Sequence, residues 1–230
     1  MKRFWTLVAL AGEGEEIGVT LDGRPVRTPA GAALLLPNQR LAAAVAAEWA
    51  AQSDEVVARS MPLTGLANAA IDRVAADPAS FAATLARYAA ADLLCYRADH
   101  PPRLVDRQGA KWDPLLDWAR RRYDVDFVTG GGVIHFPQPE ATVRRLTHEV
   151  ASLDPFRLAA LAPLVTIGGS LVAGLAVADL AVTADEAWSA VSVDEQWQLD
   201  EWGSDSDAQM ALDARRRDFL AAAAFLDLLD

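Results

Sequence analysis

The spacing of apolar and polar positions changes character along the chain. Through residue 37 it alternates as strands do. Phe4, Thr6 and Val8 stand against Trp5 and Leu7, and residues 17–21 and 25–28 flank Asp22-Gly23. That dipeptide tolerates the two positive φ angles of a tight hairpin turn, and Pro25, which has no N–H to give, predicts a sheet edge for the second arm. Residues 32–36 add a further strand after the turn at 29–31.

From Asn38 onward apolar residues recur every three or four positions. Asn38 predicts the cap of a helix carrying Leu41, Val45 and Trp49. A second helix follows Met61-Pro62 with Leu66, Ala70 and Val74 inward, and a third carries Phe81, Leu85, Tyr88, Asp92 and Cys95 along one stripe. Asp113-Pro114 reads as the cap and first position of another helix, the one holding Leu115, Leu116 and Trp118. Residues 124–136 return briefly to strand character around three glycines. Helical pieces then follow near 140–152, 155–163, 168–182, 184–202 and 207–229. The expectation is an α+β protein: a small N-terminal β-rich domain, 1–37, followed by a larger mostly α-helical domain, 38–230, with a short β-hairpin-like insert near 124–136.

Composition narrows the function classes. The 230 residues are 52% hydrophobic and 23% charged, a globular balance, with a net charge of −11. No basic surplus exists to displace phosphate counterions, so nucleic acid is not an expected partner. The single cysteine, Cys95, excludes an internal disulfide, and His100, His135 and His148 lack metal-ligand spacing; no metal or cofactor is expected. The acid is concentrated: residues 179–230 hold 13 acidic against 3 basic side chains, whereas 1–178 are almost balanced. Such a block reads as a solvated helical surface or an acidic docking face.

Two stretches imitate membrane signals. The opening MKRFWTLVALAG resembles a signal peptide but is too short for one, and its alternation suits a strand. Residues 158–178 carry no charge, yet Pro163, Gly168, Gly169, Ser170 and Gly174 break them, and Arg157 is the one nearby cation. They predict two buried helices separated at the glycine pair, with no stable membrane insertion.

Catalytic motifs are scarce. Gly130-Gly131-Gly132 leads into a strand without a following lysine, and no nucleophile elbow, HExxH or dinucleotide fingerprint is present. Gly168-Gly169-Ser170 opens a helix whose backbone donors suit an anion. Two carboxylates interrupt apolar stripes. Asp92 does so on the third helix, and Glu195 lies on the 184–202 helix, where Trp188, Val191, Gln198 and Trp202 share its face. A buried carboxylate needs a partner. For Asp92 the favoured partners are Arg97, Arg73 or a neighbouring helix terminus; for Glu195 an internal pair and an external partner stand equal.

The segments LDGRPVRTPAG (21–31), AAEWAAQ (46–52), MPLTGLANAAID (61–72), YAAADLLCYRA (88–98), QGAKWDPLLDW (108–118) and VDEQWQLDEWG (193–203), in this order, resemble the assembly chaperones of the F-type ATP synthase that attend the alpha subunit of the catalytic head. The resemblance covers residues 4–225 and is carried most specifically by DLLCYRA with WDPLL and by DEQWQ with WG. It implies a non-enzymatic chaperone with a small β domain and a larger helical domain. Its expected partner is the unassembled alpha subunit, whose interface it shields until beta subunits join. Family importance attaches to a Glu-Trp pair, here Glu48-Trp49, and to an acidic residue in the C-terminal helices. The matching candidates are Glu195, Asp205 and Asp207, with Trp188, Gln198 and Trp202 completing the expected partner surface. Mitochondrial relatives carry an Arg-rich presequence; two basic residues followed directly by the β unit imply a bacterial, cytoplasmic protein. The alternatives are an enzyme that gathers distant residues, such as Asp92 with Arg97 or His100, and a peripheral or inserted membrane protein resting on 158–178.

Overall fold

The structure is a computed structural model that describes residues 2–12, 14, 16–132, 135–203 and 206–230. Asp22 and Gly23 turn the chain at φ 48° and 78°, as the hairpin requires. The Asp22 carboxylate also accepts from the Thr6 and Leu7 amides at 3.0 and 2.8 Å, which holds its carboxyl below the usual range.

Around this turn β1 (Val8–Ala11) pairs antiparallel with β2 (Ile17–Leu21), whose other edge is shared by β3 (Arg24–Pro25) and β4 (Leu35–Leu36). β3 ends the path β1-β2-β3, so Pro25 sits where a missing donor is tolerated. Ile17, Val19 and Leu21 alternate inward from β2. The expected strand at 4–8 is shorter, because Trp5 turns into the core while Phe4 and Leu7 remain exposed, and pairing starts only at Val8.

Against the sheet packs α1 (Gln39–Ala50), capped by Asn38, whose Oδ1 accepts from the Leu41 amide at 2.9 Å, with Leu41, Ala42 and Val45 buried. α2 (Pro62–Ala69) continues through one π turn, Ala70–Val74. These elements form one compact unit that runs through Pro78 and takes in Asp154–Ala160 and Ala224–Asp230. Asn38 joins those pieces by donating to the Leu228 carbonyl at 2.9 Å, and Phe156 stacks on Phe225. The strands up to residue 37 therefore share a unit with the first helices.

The described residues of the second unit, Ala79–Leu153 with Leu161–Ala223, are helical apart from one two-stranded ladder. α3 (Pro78–Ala86) is followed by short 3-10 turns and β5 (Tyr96–Arg97), then by α4 (Pro102–Tyr123). β6 (Gly130–Gly131) pairs with β5 in parallel. Along the chain there follow α5 (Glu140–Ala151), α6 (Pro155–Gly168), α7 (Leu171–Ala178), α8 (Ala184–Val191), α9 (Val193–Trp202) and α10 (Ser206–Asp227), the start of α6 and the end of α10 belonging to the first unit. α7 is buried from Leu171 to Val177. Gly174 lets it approach α6: a Cβ there would lie 3.0 Å from Val165 and 3.1 Å from Leu161. Among the described residues no helix is long and apolar enough to cross a membrane.

Three expected helices differ. Asp113-Pro114 starts nothing, since α4 begins at Pro102 and runs through it. The buried stripe Gln108, Trp112, Leu115, Leu116, Ala119 and Tyr123 holds that helix together, and Pro114 and Ala110, whose carbonyl loses its donor, are both exposed. The third helix ends at Ala86, so Asp92 and Cys95 do not continue its stripe. Residues 184–202 form two helices rather than one, broken at Ser192, whose hydroxyl donates back to the Trp188 carbonyl at 2.7 Å.

Candidate partner-binding site

Three carboxylates singled out by the sequence meet different fates. Glu48, on α1, accepts from the Leu63 and Thr64 amides at 2.8 Å each and from the Thr64 hydroxyl at 2.7 Å. The first turn of α2 has no side-chain cap at Met61, and Glu48 supplies acceptors from another helix for two of its free amides.

Asp92 does the same more deeply. It is fully buried and accepts from the Leu94 amide at 3.0 Å and the Val172 amide at 2.9 Å, with the Ser170 hydroxyl and Leu171 amide also lowering its pKa. The anion held by the Gly168-Gly169-Ser170 helix start is thus the protein's own. Gly169, at φ 67°, makes the break, and its carbonyl accepts from the Leu93 amide at 3.0 Å. Burial outweighs these donors and pushes the Asp92 carboxyl up to about 6. Of the expected partners, the helix terminus is the one that holds it; Arg97 pairs instead with Asp113 at 2.7 Å. Cys95 next to it is buried, and its thiol is pushed up to about 12 by burial first and by Asp92 second, which keeps it a thiol at neutral pH.

α9 is built differently. α8 begins with a capping box, Thr183 with Glu186, and its Trp188 is 5% exposed, packed on Phe219 with ring centroids 5.5 Å apart. After the break, α9 is fastened by its acids. Asp194 accepts from buried Gln108 at 2.8 Å, Asp200 pairs with Arg107 at 2.6 Å, and Glu195 pairs with Arg215 at 2.9 Å. Arg215 also donates to the Ile167 carbonyl at 3.0 Å, so it ties α9 and α10 to the end of α6. Glu195 and Arg215 are both about two-fifths exposed, at 38% and 42%, a pair worth little by itself in water.

With one side of α9 held, the other is free. Gln198, Glu201 and Trp202, at i, i+3 and i+4, are all exposed, and Trp202 is 80% exposed. The other six tryptophans are buried or half-buried. Gly203, at φ 83°, ends the helix directly beyond it.

The expected surface is therefore only partly brought together. Gln198 and Trp202 share a face with Glu195 one turn before them; Trp188 is a core residue; Glu48 caps α2 in the first unit; Asp205 lies outside the described residues. Sequence reading missed Glu201 and Arg215. Both carried a signal: Glu201 completes the helical spacing of Gln198 and Trp202, and Arg215 interrupts the Leu212–Phe219 stripe as an arginine seeking a carboxylate. Among the described residues no cluster of His, Cys, Asp and Glu is placed to hold a metal.

The family profile described as ATP12 chaperone protein matches residues 2–120. Solved structures agree over the whole length. Atp12 from Paracoccus denitrificans is 41% identical with a TM-score of 0.94, aligned over 100% of this chain and 98% of that one, and an aspartate-to-lysine mutant of it matches equally. A protein of Agrobacterium tumefaciens is 36% identical with a TM-score of 0.94, over 100% of this chain and 86% of that one. Mitochondrial protein atp12 of Schizosaccharomyces pombe is 26% identical over 98% of this chain and 81% of its own length. The chain belongs to the ATP12 chaperone family.

Proposed function

We propose that this chain is an assembly chaperone of the F-type ATP synthase that binds the unassembled alpha subunit of the catalytic head in the bacterial cytoplasm and catalyses no reaction. An isolated alpha subunit exposes surface built for an obligate neighbour, and such surface aggregates. The observation that carries the reading is Trp202, a bulky indole left in water beside Gln198 and Glu201 on a helix whose other side is fastened. Exposed tryptophan supplies contact area, and its polar neighbours set register. The partly paired Glu195 stands at the rim of this face, where a client cation can compete with Arg215. A partly polar face binds less tightly than an apolar subunit interface, which permits handover to beta. The acidic block around it speeds encounter with a basic client patch.

The test is light scattering of alpha subunit diluted from denaturant. Suppressed aggregation at near-equimolar chain, without ATP and with an unrelated aggregating protein unaffected, is the expected result. Unchanged scattering contradicts the proposal.

A further inference from the structure

In a chain of net charge −11, one groove of the helical unit is basic. It lies between the end of α4 and the first turns of α5. Two adjoining cavities of about 380 and 440 Å³ share Asp124 and Ala141 in their walls. Arg120 and Arg121 line one cavity, and Arg144, Arg145 and His148 line the other. The facing acids are Asp124 and Asp126.

Not all of these cations are used by the fold. Arg120 pairs with Asp117 at 2.6 Å and lies over the Phe127 ring, and Arg145 donates to the Tyr123 carbonyl at 2.9 Å. Asp124 reaches Arg145 only at 4.0 Å, with its side chain 96% exposed. Arg121 and Arg144 have no carboxylate partner among the described residues and are exposed. The arginines at the end of α4 complement its dipole, which explains their presence there. That account does not extend to Arg144 in the second turn of α5, where a cation faces the unfavourable end of the helix.

We infer that this groove docks an acidic segment of a client polypeptide. The partner's identity rests on the chaperone reading above; its chemistry rests on the groove. Free guanidinium groups on both walls match carboxylates spaced along a peptide. The walls between them are Val125, Pro139 and Ala141, and the lining residues include no Phe, Tyr or Trp. Asp124 and Asp126 accept the occasional lysine of a mixed sequence. The acidic, aromatic face of α9 attracts client surface of the opposite sign, so the two surfaces discriminate different parts of one client.

The probe is a fluorescein-labelled oligoglutamate peptide, followed by anisotropy at low ionic strength with the intact chain. Because the protein as a whole repels this probe, saturable binding identifies a local basic site. The Arg121→Glu/Arg144→Glu variant is expected to bind about tenfold more weakly or worse. Its folding is checked by its urea midpoint. Arg103→Glu/Arg217→Glu, an equal charge change at exposed positions outside the groove lining, is expected to stay within about twofold of wild type. Absence of saturable binding, equal losses in the two variants, or displacement of the probe by an equal concentration of pyrophosphate each overturn the inference. The readout contains no client, so its failure leaves the scattering result standing, and a failed scattering assay leaves the groove's preference for acidic peptide measurable.

Discussion

At Asp92 and at Glu195 a carboxylate stands where the periodicity asks for an apolar side chain, and the surroundings of the two differ in kind. The hydrogen-bond partners of Asp92 are donors of the protein's own: amides of Leu94, Leu171 and Val172 and the hydroxyl of Ser170. Glu195, 38% exposed, pairs with Arg215, and the exposed Trp202 lies two turns on. The first arrangement closes a polar account inside the fold. The second leaves capacity for something outside it. What separates the cases is what reaches the carboxylate: the first amides of α7 at the α6–α7 break for Asp92, and an arginine side chain from α10 for Glu195, which itself stands in the first turn of α9.

Substitution sharpens this contrast most at Asp92. Asp92→Ala strands four buried donors and leaves a small void, so it is expected to cost about 3–5 kcal/mol in urea denaturation. A loss below about 1 kcal/mol contradicts the clasp. The pH dependence isolates the charge. The folded pKa of about 6 lies above the unfolded value of 3.8, so the folded state holds the proton that the unfolded chain has released across that window. The stability this group contributes is fully present below 3.8 and is lost as pH rises through about 6. The difference in unfolding free energy between wild type and Asp92→Asn is expected to fall by about 2 kcal/mol between pH 4 and 7. A difference that does not change with pH contradicts burial as the dominant influence.

Glu48 gives an intermediate case in the other unit. Its removal exposes two helix-start amides in a half-buried setting, so Glu48→Ala is expected to cost about 1–2 kcal/mol. Folded Glu48→Ala protein is expected to suppress client aggregation as wild type does. Loss of suppression with the fold intact gives Glu48 a contact role in addition to its cap.

Much of the frame was legible because local chemistry dictated it. Asp22-Gly23 has the backbone freedom of the turn it makes, Asn38 the acceptor of the cap it makes, and Gly169 the φ of the break between two buried helices. The failures are places where a distant residue decides. Asp113-Pro114 has the grammar of a helix start, but the Gln108–Tyr123 stripe against the rest of the helical unit overrides it. Asp92 has helical spacing from Phe81, but besides the Leu94 amide the donors that satisfy it come from residues about eighty positions on, and a continuous helix offers no free amide for it. On α9 the acids were legible and their partners were not. Gln108, Arg107 and Arg215 come from α4 and α10, and they decide which side of the helix is held. Trp188 looked like Trp202 in sequence; only the break at Ser192 and the packing on Phe219 separate a core indole from a free one.

That last distinction yields the smallest expected change in stability and the largest in function. Trp202→Ala removes a side chain that is 80% exposed, so the urea midpoint is expected to move by less than about 0.5 kcal/mol equivalent. The most direct test of the account is this variant in the alpha-subunit scattering assay beside wild type. The account predicts unchanged unfolding together with a marked loss of aggregation suppression. Full suppression by a folded Trp202→Ala protein contradicts the claim that the free face of α9 receives the client.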